Sequence, residues 1–267
     1  MKSWQYELMR PVLSWRNKLY KKWAEDESRR LNLYEETLKE VSEYTGEPLE
    51  TVRKKHHMGP RKEPTFAIFQ QQDRLTVSAV ENFYREATYY LYELPLWNAE
   101  KARPQYLCRI MRPYLNRYRC REVLDFGGGT GDLCLALAAA GRKVTYCDIG
   151  KEVADFARWR FKRRGLDVKM YDALDGLSGR TFDAVISFDC FEHIMDLPAV
   201  VSQLSRCVRP GGLMISGDAF EGGGLHLEEN YQYHNADAFD RLMQANGLSF
   251  VGRFAQFVFY RKYPGGK

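Results

Sequence analysis

The chain has 267 residues, 45% of them apolar, with a net charge of +5 and a mean hydropathy of −0.50. That is enough apolar material for one large or two small cores, and no apolar run approaches the length of a bilayer span, so neither a membrane-spanning helix nor a secretory leader is expected and the cytoplasm is the expected compartment. The charge is uneven, with 22 Lys/Arg against 16 Asp/Glu in residues 1–120 and 18 against 19 in residues 121–267, a surplus that suits an anionic partner or merely a solvated face.

From the N-terminus to about residue 119 the signals are helical. Trp4, Leu8, Val12, Trp15, Leu19 and Trp23 recur every three or four residues, which predicts a helix that Pro11 either kinks or begins. A second helix is expected over Glu27 to Tyr44, stopping near Gly46, and a third from Pro48 to about Lys55. The stretch H-H-M-G-P-R-K-E-P (His56 to Pro64) reads as a connector. Val77, Val80, Tyr84, Ala87, Leu91 and Leu94 predict one long helix that Pro95 stops, and Leu107, Ile110, Met111, Tyr114 and Leu115 predict another.

After Arg121 short β-type runs alternate with helices. V-L-D-F, K-V-T-Y-C-D, V-K-M-Y-D, F-D-A-V-I-S-F-D and G-L-M-I-S-G read as strands, with helices from Asp132, over Lys151 to Arg164 and over Pro198 to Cys207. This order implies a parallel sheet covered on both faces. Ala236 to Ala245 reads as a further helix, capped by Asn235, and the segment after it as an antiparallel strand pair. The six cysteines (Cys108, Cys120, Cys134, Cys147, Cys190 and Cys207) form no C-x-x-C pair and no zinc-type spacing, so they read as reduced, mostly buried thiols.

The turn between the first strand and the following helix is D-F-G-G-G-T-G-D. Glycines there let a ligand rest on bare backbone, but no register gives the G-x-G-x-x-G of a dinucleotide site, and Gly131 precedes Asp132 rather than the Lys-Ser/Thr of a P-loop. An acid in the first helical turn would also repel a phosphate. The turn therefore suits a ligand with hydroxyls and a positive charge.

The stretch D-F-G-G-G-T-G resembles the first motif of the class I S-adenosylmethionine-dependent methyltransferases, and R-P-G-G-L (Arg209 to Leu213) resembles the turn into their fifth strand; the resemblance covers roughly residues 121–263. It implies an α/β Rossmann-like sheet of parallel strands with a C-terminal antiparallel strand and S-adenosylmethionine as cofactor in a core of residues 120–267; the N-terminal all-helical segment, residues 1–119, lies outside the resemblance and is expected to serve as a lid or for substrate or dimer contacts. The resemblance also implies cofactor contacts at Asp125, Phe126, Gly127, Gly128, Gly129 and Gly131, at Asp148 (ribose hydroxyls) with Ile149 on the adenine, at Asp172 (adenine amine) with Ala173, and at Asp189.

The family places reacting groups after the fourth strand, where F-D-C-F-E-H-I-M-D spaces Asp189, Glu192, His193 and Asp196 for one helical face. His193, with Asp189 and Glu192, is the first catalytic candidate, as a base or substrate contact; packing against the cofactor and bonding to backbone is the alternative. Two carboxylates and a histidine give no complete ligand set, so no metal is expected. Tyr84, Tyr90, His226, Tyr231 and His234 are the candidate acceptor contacts. The acceptor is expected to be a small molecule, hydrophobic or lipid-like. Neither an Asp/Asn-Pro-Pro-Tyr/Phe motif nor a Pro-Cys pair occurs, so a nucleic-acid substrate is not favoured; an RNA or protein methyltransferase using the basic N-terminal segment stays as the alternative, with a non-catalytic cofactor-binding module as a third reading, and R-W-R-F-K-R-R (Arg158 to Arg164) and the acid-free stretch from Lys101 to Arg121 are further basic runs that suit RNA or merely a solvated face. Tryptophans and lysines on the first helix suit docking on the core, on a second copy of the chain, or peripherally on an anionic membrane.

Overall fold

The computed structural model describes residues 3–58, 67, 75–222 and 225–263. Of the connector expected at His56 to Pro64, residues 59–64 lie outside the described residues.

Helix α1 (Ser3–Leu31) runs through Pro11 and stops at Asn32, whose φ of 50° breaks the ladder before α2 (Leu33–Thr45). The boundary falls beyond Glu27, the expected start of a second helix, because Asp26–Arg29 and Glu27–Arg30 pairs one turn apart carry α1 onward. Helix α2 closes on a left-handed Gly46, and α3 (Leu49–His56) follows.

The single helix expected from Val77 to Leu94 is two, α4 (Val77–Glu86) and α5 (Tyr90–Glu100), separated by an extended Ala87. The apolar stripe serves two partners, which is why it breaks. Val80, Phe83 and Ala87 pack with Leu225 and Leu227, whereas Leu91 and Leu96 pack with Leu38, Val41, Val52 and Phe156. Pro95 sits buried inside α5 rather than ending it; packing outweighs the one ladder bond it forfeits. Helix α6 (Arg103–Arg117) completes the helical half.

Among the described residues one sheet has the order β3-β2-β1-β4-β5-β7-β6. Strands β1 (Glu122–Phe126), β2 (Lys143–Cys147), β3 (Lys169–Tyr171), β4 (Phe182–Phe188) and β5 (Val208–Gly217) run parallel, and β7 (Phe257–Lys262) lies antiparallel between β5 and β6 (Leu248–Phe254). The parallel and antiparallel strands are those the sequence pattern predicts. Side chains alternate between two cores: Ala184, Ile186, Leu213, Ile215, Phe257 and Phe259 face α6, α7 (Asp132–Ala139) and α8 (Lys151–Arg163), while Val185, Met214, Val258 and Tyr260 face α9 (Leu197–Cys207) and α10 (Ala236–Ala245).

The change near residue 120 is a change of element type, with no break in packing. Tyr114 stacks on Phe259 at 3.7 Å, Tyr20 on Phe254 at 5.6 Å, and Met111 and Leu115 are buried in the same cluster as Val123. The basic run of α8 is paired: Arg158 with Asp155, Arg163 with Glu43 and Arg164 with Glu40. Arg160, 4% exposed, donates to the Thr130 carbonyl at 2.9 Å and to Asp132 at 2.8 Å, and its Nε lies 3.2 Å from Glu40 of α2. On the outer side of α1, Val12, Trp15 and Leu19 are exposed, Trp15 at 61%.

Candidate active site

The carboxyl ends of β1 to β5 open on a cleft of about 930 Å³ that α4 and α5 wall in on one side. The turn after β1 lies bare against it: Gly127 has φ 72°, and a Cβ there would stand 2.5 Å from the Cys190 sulfur. The N–H of Gly127 donates to the Cys147 carbonyl at 2.9 Å, that of Gly129 to Asp148 Oδ2 at 2.8 Å, and that of Gly150 to Asp148 Oδ1 at 2.7 Å. Asp148 therefore spends one lone pair of each oxygen on backbone and keeps the others for a ligand. Burial raises its pKa against the pull of those two N–H groups.

Gly127→Ala is expected to destabilise the fold by about 2–4 kcal/mol, combining left-handed strain with overpacking. Gly141→Ala, at φ 76° with nothing within 4 Å of the new Cβ, should lose only the strain. Urea denaturation of the two variants separates the contributions, and equal losses would mean that the turn has room for a side chain.

After β4, Phe191–His193 form a single 3-10 turn rather than the helical face their spacing predicts, yet Asp189, Glu192, His193 and Asp196 all reach the cleft. Asp196 caps α9, accepting the Ala199 N–H at 3.1 Å, and Asp189 pairs with Arg103 at the start of α6. Burial raises the Asp189 pKa, with Arg103 opposing. Two residues that no spacing singles out hold the turn. Asp218 accepts the N–H groups of Cys190 and Phe191 at 3.2 and 3.1 Å, and the Asn230 amide donates to the Phe191 and Ile194 carbonyls at 3.1 and 2.8 Å.

Glu192 Oε1 accepts the Ala219 N–H at 3.1 Å, and Oε2 is buried without a hydrogen-bond partner among the described residues. Burial lifts its pKa well above the usual carboxylate range, and the carboxylates of Asp218 and Asp189 push it further. His193 Nδ1 lies 3.2 Å from the Leu225 carbonyl oxygen, which only accepts, so the proton is on Nδ1 and Nε2 keeps its lone pair. Burial holds its pKa down at about 4, with His226 contributing. The Tyr84 ring lies 5.4 Å from His193 and 6.0 Å from Tyr90, onto which it stacks.

A methyltransferase domain model matches residues 124–216, the stretch from β1 to β5 that carries these turns. The stretch that forms the glycine turn and the floor of the cleft is therefore similar to methyltransferase domains. The ubiquinone biosynthesis O-methyltransferase of Methylocella silvestris is 36% identical over 98 residues, covering 36% of this chain and 38% of that one, and its Proteus mirabilis counterpart is 31% identical over 96 residues, covering 34% and 39%. The match thus spans about two fifths of the length of these curated relatives. The solved structure of an amino pentose methyltransferase from Micromonospora echinaspora with S-adenosylmethionine bound overlays with a TM-score of 0.45 at 15% identity, covering 58% of this chain and 90% of that one.

The cleft takes up the expected cofactor residues unevenly. Phe126, Gly127, Gly129, Asp148, Ile149, Ala173 and Asp189 line the cleft, whereas Asp125, Gly128, Gly131 and Asp172 lie outside its lining. Asp125 shares a strand face with Val123 and points beneath α7, where the Cys134 S–H donates to it at 3.2 Å; burial lifts its carboxyl to about 7. Gly128 backs onto the Tyr146 ring and Gly131 onto Phe161, so both seat the turn. Strand β3 ends at Tyr171, which leaves Asp172 exposed and puts Ala173, Leu174 and Asp175 at the cleft.

Of the acceptor candidates, Tyr84, Tyr90 and His226 line the cleft; Tyr231 packs by Gly222 and His234 faces Glu221 at 3.7 Å, both outside it. Glu93 and Arg103 line it without having been singled out, since polar residues on helices carry no signal of which core they face. S-adenosylmethionine fits these surroundings: a turn with no Cβ, open lone pairs on Asp148, and the acidic side chains of Asp148, Asp189 and Glu93 for a ligand that carries positive charge.

Proposed function

We propose that the protein transfers the methyl group of S-adenosylmethionine to a small, hydrophobic or lipid-like acceptor. The observation that carries this reading is the wall opposite the glycine turn: Val77, Val80, Tyr84, Tyr90, Leu94 and Trp97 line a cleft of about 930 Å³, an enclosure scaled to small ligands and largely apolar on its acceptor side. The name of the curated relatives supports an oxygen acceptor on a lipid-like molecule. The exposed Val12, Trp15 and Leu19 beside Lys18 and Lys22 give α1 a face suited to an anionic membrane, where such an acceptor would be met.

Bound S-adenosylmethionine supplies a methyl on a sulfonium, with a neutral thioether to leave. Asp148 and the turn from Gly127 to Gly129 hold the nucleoside, and Tyr84 and Tyr90 position the acceptor and exclude water. The Nε2 lone pair of His193 and the buried Glu192 stand at the acceptor side, where a hydroxyl must give up its proton. Incubating the protein with S-adenosylmethionine labelled in its methyl group and fractionated cell extract should place label in the organic-soluble pool. Label in RNA or protein, or donor binding without any transfer, would overturn the reading.

A further inference from the structure

Among the described residues, one group of side chains brings metal-ligating atoms together: Glu192, His193 and His226, with a ligand atom of each within 4.8 Å of the others. Three further observations show which atoms are free. His193 Nδ1 is taken by the Leu225 carbonyl and His226 Nδ1 by the Glu221 carbonyl at 2.7 Å, so on both rings Nε2 is the nitrogen left to meet a ligand. Glu192, only 1% exposed, commits Oε1 to the Ala219 N–H and leaves Oε2 without a partner among the described residues. The turns that carry the three are tied together, since the Leu227 N–H donates to the Glu192 carbonyl at 3.0 Å.

Histidines whose second nitrogen is fixed on a backbone carbonyl, converging with an unsatisfied buried carboxylate oxygen, are the supporting arrangement of a metal centre. We infer that Glu192, His193 and His226 bind a divalent first-row transition ion of the zinc type, with the remaining coordination positions open to the cleft. Two imidazoles and one carboxylate favour such an ion over magnesium, which takes oxygen ligands. A tetrahedral site has ligand atoms roughly 3.3 Å apart, so the ion draws the three inward from their spacing of within 4.8 Å. The ion's role toward an acceptor rests on the methyl-transfer reading: it would take the acceptor oxygen as a ligand and favour loss of that oxygen's proton to water, with His193 acting through the ion rather than as a base. The binding of the ion does not depend on that reading.

The test uses the full chain after treatment with a chelator, titrated with Co²⁺ and then displaced by Zn²⁺, without S-adenosylmethionine. A visible Co²⁺ spectrum of low-symmetry, nitrogen-containing coordination at one equivalent is expected, lost on adding Zn²⁺. Glu192→Gln and His226→Ala should each weaken binding by roughly 100-fold or more, beyond what loss of a supporting partner costs. His234→Ala, at an exposed histidine outside the cleft, should bind as the parent does. Absence of the spectrum, full binding by Glu192→Gln with a native circular dichroism spectrum, or loss of binding in His234→Ala would overturn the site. Each of these outcomes leaves methyl transfer to be judged by its own labelling experiment.

Discussion

Asp148→Asn is expected to weaken S-adenosylmethionine binding by about 100-fold while leaving the far-ultraviolet circular dichroism unchanged. The parent carboxylate accepts the N–H groups of Gly129 and Gly150 at once. An asparagine can accept only one of them and must aim an N–H at the other. Charge-assisted bonds contribute about 1.5–3 kcal/mol each, and the same substitution removes the charge that a ribose hydroxyl would meet. A loss of about 3 kcal/mol corresponds to the hundredfold change, readable by calorimetric titration. Affinity within threefold of the parent would mean that the nucleoside does not sit on this carboxylate.

The second large effect is on stability and its pH dependence. Asp125 is buried beneath α7, where it accepts the Cys134 S–H, and burial lifts its pKa to about 7 from an ordinary value of 3.8. The folded state therefore binds a proton that the unfolded state has already released, so this residue's contribution is greatest below pH 4 and is lost as pH rises towards 7. Asp125→Asn removes that dependence. Denaturation midpoints should diverge in favour of the variant between pH 4 and 7, by at most about 4 kcal/mol at 1.36 kcal/mol for each tenfold in proton affinity. Parallel pH profiles would show that the carboxylate is solvated in the folded protein. If the acid serves a positively charged donor, as the family resemblance implies, the same variant should bind S-adenosylmethionine more weakly, gaining stability at the expense of the ligand.

The parallel core was legible because its strands are short apolar runs between turn residues, and left-handed glycines (Gly141, Gly165 and Gly247) follow α7, α8 and α10. The glycine turn and Asp148 were legible for the same reason: both sit at a strand's carboxyl end, where the chain order alone puts them beside each other. Asp172 shows the limit of that argument. It follows β3 directly, as Asp148 follows β2, but β3 is the edge strand of the sheet and Asp172 is exposed there, while the 3-10 turn that comes next brings Asp175 to the cleft. In the helical half the spacing from Val77 to Leu94 is continuous although the backbone is not, since two different cores collect its two ends. His226 was legible as a loop residue but not as a neighbour of Glu192 and His193, because what joins them is a backbone bond between distant turns.

Arg160 sets a condition on how this architecture can be altered. Its guanidinium is shut away from water behind the glycine turn and shares its charge between Asp132 of the core and Glu40 of α2. Excising the helical half would strand that cation beside a single carboxylate, and removing one partner of a buried charge costs about 3–5 kcal/mol. Helix α2 touches neither side of the cleft, yet a chimera that swapped the helical half for another family's lid would have to reproduce Glu40 before its new acceptor pocket could matter.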